Sequence, residues 1–357
     1  MPVDAAPALA ADTPMIDTDV VVIGAGPVGL FQVFQLGLHS LRCHVVDALP
    51  HVGGQCVELY GDKAIYDIPG IQACTGQALA DRLHAQAAPF APTYHLDQQV
   101  DTLQRQPDGR WQLHTTAGTQ LCAAAVVLAG GVGAFVPRAL KLDGAEALVG
   151  TQLHYHPRQW DVAPGQHTIV LGGDESAVQA AIACASHAQA ASTTLLHRRE
   201  VFTAPDALLD QLTALRAAGK IQVAIGQPAA LHRNAAGSLQ ALDIALPDGS
   251  TTAVPADMLL TYLGISPKLG PIADWGLEMA RKQVAVNMVT FGTSEAGIYA
   301  VGDIIAYPGK RKLILCGFHE ATLAAFAVAE QLSGQPPLLQ YTSSSSHLQA
   351  LLGVTTV

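Results

Sequence analysis

The chain has 357 residues, half of them hydrophobic and only 13 % charged, which suits two domains of ordinary size built on buried parallel sheets covered by helices. A net charge of −10 argues against general nucleic-acid binding. No apolar run reaches the roughly 18–20 residues that a membrane-spanning helix needs.

Residues 1–17 are rich in Ala, Pro and Asp, have no basic head, and read as a disordered tail. Val20-Val-Val-Ile23 is a buried strand. It enters Gly24-Ala-Gly-Pro-Val-Gly29, a G-x-G-x-x-G turn that opens a helix over Leu30–Leu38. Gly24 makes the tight turn, Gly26 with Pro27 lets the backbone approach a pyrophosphate, and Gly29 lets helix and strand pack closely. The next strand, Cys43–Asp47, ends in a carboxylate where a ribose 2′-OH is gripped. Strand, glycines, helix, strand and terminal acid together predict a dinucleotide-binding unit.

Gly53-Gly54-Gln55 leads into a short helix, and Gly76–Ala91 reads as another. Strands follow over Thr93–Leu103 and Trp111–Thr116, with Asp108-Gly109 as a hairpin turn. Ala124–Ala129 is a buried strand, and Phe135–Arg138 a connector. A second α/β unit begins at Thr168–Leu171, continues through a helix near Ser176–Gln189 and a strand Thr193–Leu196, and closes with Met258–Leu263. Gly297–Val301 is the next strand, followed by Gly302-Asp303. A long apolar helix runs from Phe318 to Leu332 and stops at Gly334. Ser343–Ser346 reads as loop. The fold class is therefore α/β, with two Rossmann-like three-layer domains, the second inserted into the first. The expected bounds are 18–136 with 290–357 for the first and 137–289 for the second. None of the six cysteines is spaced C-x-x-C or placed with His at metal-ligand spacing, so free thiols in a reducing cytoplasm and no metal site are expected.

With Gly24–Gly29, Tyr66-Asp-Ile-Pro-Gly70, Gly133-Ala-Phe-Val-Pro-Arg138, Gly297–Asp303 and Tyr307-Pro-Gly-Lys-Arg-Lys-Leu313, residues 18–346 resemble the ferredoxin/flavodoxin–NADP+ reductases of the thioredoxin-reductase-like type. Thioredoxin reductases share this plan but carry a redox C-x-x-C, which is missing here, so disulfide reduction by that route is excluded. The resemblance implies FAD in the first domain, NADPH in the second, a homodimer, and a ferredoxin or flavodoxin as electron acceptor. It places Asp47 on the adenosine ribose, Gln55 and Tyr60 along the flavin, Val100 and Phe135 in the pocket, Asp303 on the ribityl–phosphate portion and Ser344 over the flavin's far side. Gly54 completes the FAD set. No catalytic side chain is required, because the flavin carries the hydride chemistry. In the family's tail an aromatic or His ring covers the second flavin face; here Tyr341 is nearest and Thr342 stands at the matching site.

The second unit departs from the pattern. Gly172-Gly-Asp-Glu-Ser-Ala177 puts Asp174 where the middle glycine of G-x-G-x-x-A should be. Gly172, Gly173 and Ser176 remain as phosphate contacts, and His197-Arg198-Arg199 stand where the 2′-phosphate of NADPH would lie. The family continues with another arginine where this chain has Thr203. NADPH binding is therefore expected to be retained but weakened. Lys310, Arg311 and Lys312 form a candidate basic docking patch for an acidic carrier. Two other readings stay open: a divergent paralogue that keeps FAD but acts on a small molecule, and a flavin-binding protein without turnover.

Overall fold

The computed structural model describes residues 14–59, 61–157, 163–187 and 190–354. The chain divides into two compact units, residues 1–134 with 267–357, and residues 135–266.

In the first unit, β1 (Ile16–Ile23) leads to α1 (Pro27–Leu38) and β2 (Cys43–Val46). Residues 16 and 17 therefore belong to the sheet and not to a tail; residues 1–13 lie outside the described part. Next come α2 (Gly54–Glu58) and α3 (Gly76–Ala87), then β3 (Thr93–His95), β4 (Val100–Arg105), β5 (Trp111–Thr115) and β6 (Gln120–Leu128). The strand order is β3-β2-β1-β6-β5-β4. The first four are mutually parallel, and β4–β5–β6 is an antiparallel extension turned at Asp108-Gly109. Val20, Val21, Val22, Val126 and Val127 have no exposed surface, as expected for strands covered on both faces.

The second unit carries β7 (Leu153–Tyr155), β8 (His167–Gly172), α4 (Glu175–Ser186), β9 (Ser192–His197), α5 (Asp206–Ala217) and β10 (Gln222–Ile225). The antiparallel strands β11 (Gln227–Arg233), β12 (Leu239–Ala245) and β13 (Thr251–Pro255) follow, and β14 (Met258–Tyr262) returns to the main sheet. That sheet has the order β7-β14-β8-β9-β10 and is wholly parallel.

The chain re-enters the first unit at residue 267, earlier than the expected 290. The reason is packing: Ile272, Leu277 and Val284 are buried in the first unit's core, and Val284 pairs with Ile305. β15 (Ile298–Ala300) then docks parallel to β6. The closing helices are α6 (Ile314–Ser333) and α7 (Ser346–Leu351). α6 begins one turn before the expected Phe318 and ends, as expected, at Gly334 in the left-handed conformation (φ 72°). α7 was not foreseen in the polar tail; the Ser345 hydroxyl caps it by accepting the Leu348 N–H. Among the described residues no helix is long and apolar enough to cross a membrane.

Candidate functional site

The first unit gathers its candidate residues at the carboxyl ends of β1, β2, β6 and β15. This is where doubly wound sheets bind ligands. Gly24 has φ +114°, and a Cβ there would lie 2.4 Å from the Ala129 carbonyl oxygen. A Cβ on Gly29 would lie 1.9 Å from the Gly24 oxygen, so helix and strand approach as closely as the motif predicts. Gly26 is different, since a Cβ there would meet nothing nearer than Gly54 Cα at 3.9 Å. Its side is open, which leaves room for a phosphate against the backbone.

Gly26 is also the N-cap of α1, with no side-chain cap and no acidic residue in the first turn. The helix therefore presents uncapped N–H groups and its positive end to this space. Asp47 stands beside it. Its carboxylate accepts the Ala25 N–H and the Leu49 N–H. A carboxylate has about four acceptor positions, so lone pairs remain for a ribose. Burial raises the Asp47 pKa above its ordinary value, against the lowering by those two N–H donors.

The remaining walls come from distant segments. The Gly53 N–H donates to the Ala25 carbonyl at 2.8 Å, which fixes Gly54 and Gln55 against the glycine turn. A Cβ on Gly131 would lie 2.9 Å from Gln55 Nε2, so that amide faces the end of β6. Val28 lies against both Gly302 and Gly317, which sets the start of α6 beside the start of α1. α6 likewise has no side-chain cap and no acidic residue in its first turn. Asp303 sits on the turn next to it and accepts, through its main-chain carbonyl, an N–H of Gln283 at 3.0 Å. Cys56 is buried, with its pKa pushed up to about 11 by burial and then by Asp303 and Cys74. Burial and the neighbouring acid thus favour its protonated thiol over the reactive thiolate.

Several expected residues stand apart from this group. Val100 is 1 % exposed and its side chain packs in the core. Ser344 is exposed on the segment before α7. Tyr60 and the side chain of Phe135 lie outside the described residues. The Lys310–Arg311–Lys312 patch is corrected at its first member. The Lys310 side chain is 7 % exposed and pairs with Glu320 at 2.6 Å, so it is not available on the surface. Arg311 and Lys312 are exposed.

The second unit holds a cavity of about 510 Å³. Gly172, Gly173, Asp174, His197, Arg198, Arg199 and Thr203 line it, together with Arg138, the last residue of the expected connector. Ser176, in the first turn of α4, is not on this wall. Gly173 has a packing role: a Cβ there would lie 2.5 Å from the His197 ring. The His197 ring is held by a 2.8 Å contact from Nδ1 to the Arg199 carbonyl oxygen. Asp174 is the N-cap of α4, and its Oδ1 accepts the Ala177 N–H at 3.0 Å. It thus occupies a donor that a pyrophosphate would otherwise use, and Glu175 adds a second acid to the first turn. The start of α1 in the first unit is uncapped and open; its counterpart at α4 in the second is capped and negative.

Comparison with known proteins shows the family and the fold. The profile of the pyridine nucleotide-disulphide oxidoreductase family matches residues 18–330. The chain is 62 % identical to a ferredoxin–NADP reductase of Acidovorax sp. over 339 residues, covering 94 % of this chain and 95 % of the relative. It is 56 % identical to a ferredoxin–NADP reductase of Verminephrobacter eiseniae, covering 95 % and 98 %. In fold it is similar to the thioredoxin reductase of T. acidophilum, with TM-score 0.55 and 18 % identity over 89 % of this chain and 99 % of that one.

Proposed function

Because the chain belongs to the pyridine nucleotide-disulphide oxidoreductase family, with ferredoxin–NADP reductases as its near relatives, we propose that it is an FAD flavoprotein that passes electrons from NADPH to ferredoxin. The observation that carries the reading is a contrast between the two units. β2 is followed by Asp47, whose acceptors suit a free ribose, as in FAD; β9 is followed by Arg198 and Arg199, which suit a phosphorylated one, as in NADPH. The small-molecule alternative has no comparable support among the relatives.

In this reading Gly24, Gly26, Pro27, Gly29 and Gly54 cradle the FAD pyrophosphate at the open end of α1, and Asp47 holds the adenosine ribose. Gln55 and Asp303 flank the flavin, while Val100, buried in the core, and Ser344, exposed before α7, stand apart from it. The uncapped start of α6 stabilises negative charge on the flavin by about 0.3–1 kcal/mol, and up to ~2 if partly buried. Bound FAD supplies the exchange between a two-electron hydride and single electrons. In the second unit Arg138, Arg198 and Arg199 hold the 2′-phosphate of NADPH. His197, Gly172 and Gly173 shape the space beside it, and Ser176 stands off its wall. Asp174 weakens the hold on the pyrophosphate.

The acceptor is an acidic carrier, ferredoxin or flavodoxin, guided by Arg311 and Lys312 without Lys310. A cytoplasmic homodimer fits the family and the cysteine pattern. The test is anaerobic titration of purified protein with NADPH, followed by addition of ferredoxin. Loss of the yellow colour and its return supports the reading; unchanged colour at millimolar NADPH refutes it.

A further inference from the structure

We propose that Glu320 is a positioning residue for the flavin site, acting through the main chain at Gly302. The proposal rests on the assignment of the Gly302–Asp303 turn to FAD. Glu320 lies inside α6 and has no exposed surface. Its Oε2 accepts the Gly302 N–H at 2.8 Å. Its Oε1 accepts from the Tyr307 hydroxyl at 2.8 Å and from Lys310 Nζ at 2.6 Å. The carboxylate therefore fastens three points of the segment 302–310 to one helix.

Stability alone does not account for this choice. A buried ion pair gains little over apolar residues of the same volume, because both charges must be desolvated. Position does account for it. The turn Gly302–Ile304 has no side-chain cap, and Gly302 has φ +82°. Among the described residues, no hydrogen bond holds the Asp303 carboxylate. Its placement follows from the backbone, which is pinned on one side by Glu320 at the Gly302 N–H and on the other by Gln283 at the Asp303 carbonyl. Lys310 supplies the counter-charge that keeps a second anion from standing uncompensated behind Asp303.

Two uncharged double variants separate the anchor from the charge. Lys310→Met with Glu320→Gln keeps an acceptor for the Gly302 N–H. Lys310→Met with Glu320→Ala removes it. The measurement is titration of the apo proteins with FAD, read by flavin fluorescence quenching, with melting of each apo protein alongside. The Gln variant is expected to bind FAD within about threefold of the parent. The Ala variant is expected to bind about tenfold or more weakly, a difference of about 1.4 kcal/mol. Neither carries a buried charge, so the comparison survives if the single variants fold poorly. Equal FAD affinity in the two would overturn the proposal, whatever happens to melting. Failure of the parent itself to take up FAD would instead refute the cofactor assignment.

Discussion

Replacing Asp174 by Asn tests how the second unit treats a phosphate. The side chain keeps its shape, and Asn is as good an N-cap as Asp, so the Ala177 N–H keeps its acceptor and α4 its start. Only the charge is lost. A unit charge about 4 Å from a phosphate is worth about 1 kcal/mol in water and about 4 at an effective dielectric of 20. Asp174 is half-buried on a cavity wall, which places it between those limits. NADPH binding should tighten by about fivefold at the least and approach about a thousandfold at the effective dielectric of 20. NADH should gain by a similar factor, since it carries the same pyrophosphate. Calorimetric titration of NADP+ and NAD+ into both proteins reads the effect, and rising salt should shrink it. An unchanged or weaker affinity in the Asn variant would refute the reasoning, because it would mean the pyrophosphate does not approach α4.

Three further outcomes follow from the same geometry. Arg199→Ala should raise the KM for NADPH by about tenfold or more while sparing NADH, since a charge-assisted hydrogen bond is worth about 1.5–3 kcal/mol; equal effects on both coenzymes in steady-state assays would remove Arg199 from the 2′-phosphate. Arg311→Glu with Lys312→Glu should slow reduction of an acidic protein carrier by about tenfold at low salt and leave a small dye acceptor unaffected, whereas equal slowing would dismiss the docking surface. Asp47 gives a pH dependence. Its pKa is raised in the folded apo protein, and the ionised form is the one that accepts hydrogen bonds from a ribose. FAD affinity should therefore fall as pH drops through that raised pKa, beginning above the ordinary carboxylate value of 3.8. By linkage, the same shift makes ionised Asp47 a cost to folding above its raised pKa, relieved as pH falls through it. Asp47→Asn should flatten the affinity profile in fluorescence titrations, and a parent profile already flat would contradict the assignment.

The first βαβ unit was legible because local pattern and tertiary role coincide there: β-branched residues make the strand, and the glycines do what their spacing requires. Asp174 was legible as a break in the motif, but not as a cap. Its position just before an apolar helix was the available signal. The burial of Lys310 is not legible locally, because three contiguous cations look like a solvated stripe. The counter-signal was Glu320, an acid inside an otherwise Ala-, Phe- and Val-rich helix, where a buried charge needs a partner. α6 starts before Phe318, and Gly317 in its first turn permits close contact with Val28. Asp248-Gly249 marks the β12–β13 hairpin. The return at residue 267 was not legible, since Ile272 and Val284 declare their unit only through contacts distant in sequence.

The account stands most directly on rapid anaerobic mixing of the purified protein with NADPH, followed in the visible flavin absorbance. It predicts a yellow protein that bleaches with NADPH and regains colour on adding oxidised ferredoxin. A colourless protein that takes up no FAD, or a yellow one indifferent to NADPH, would contradict it.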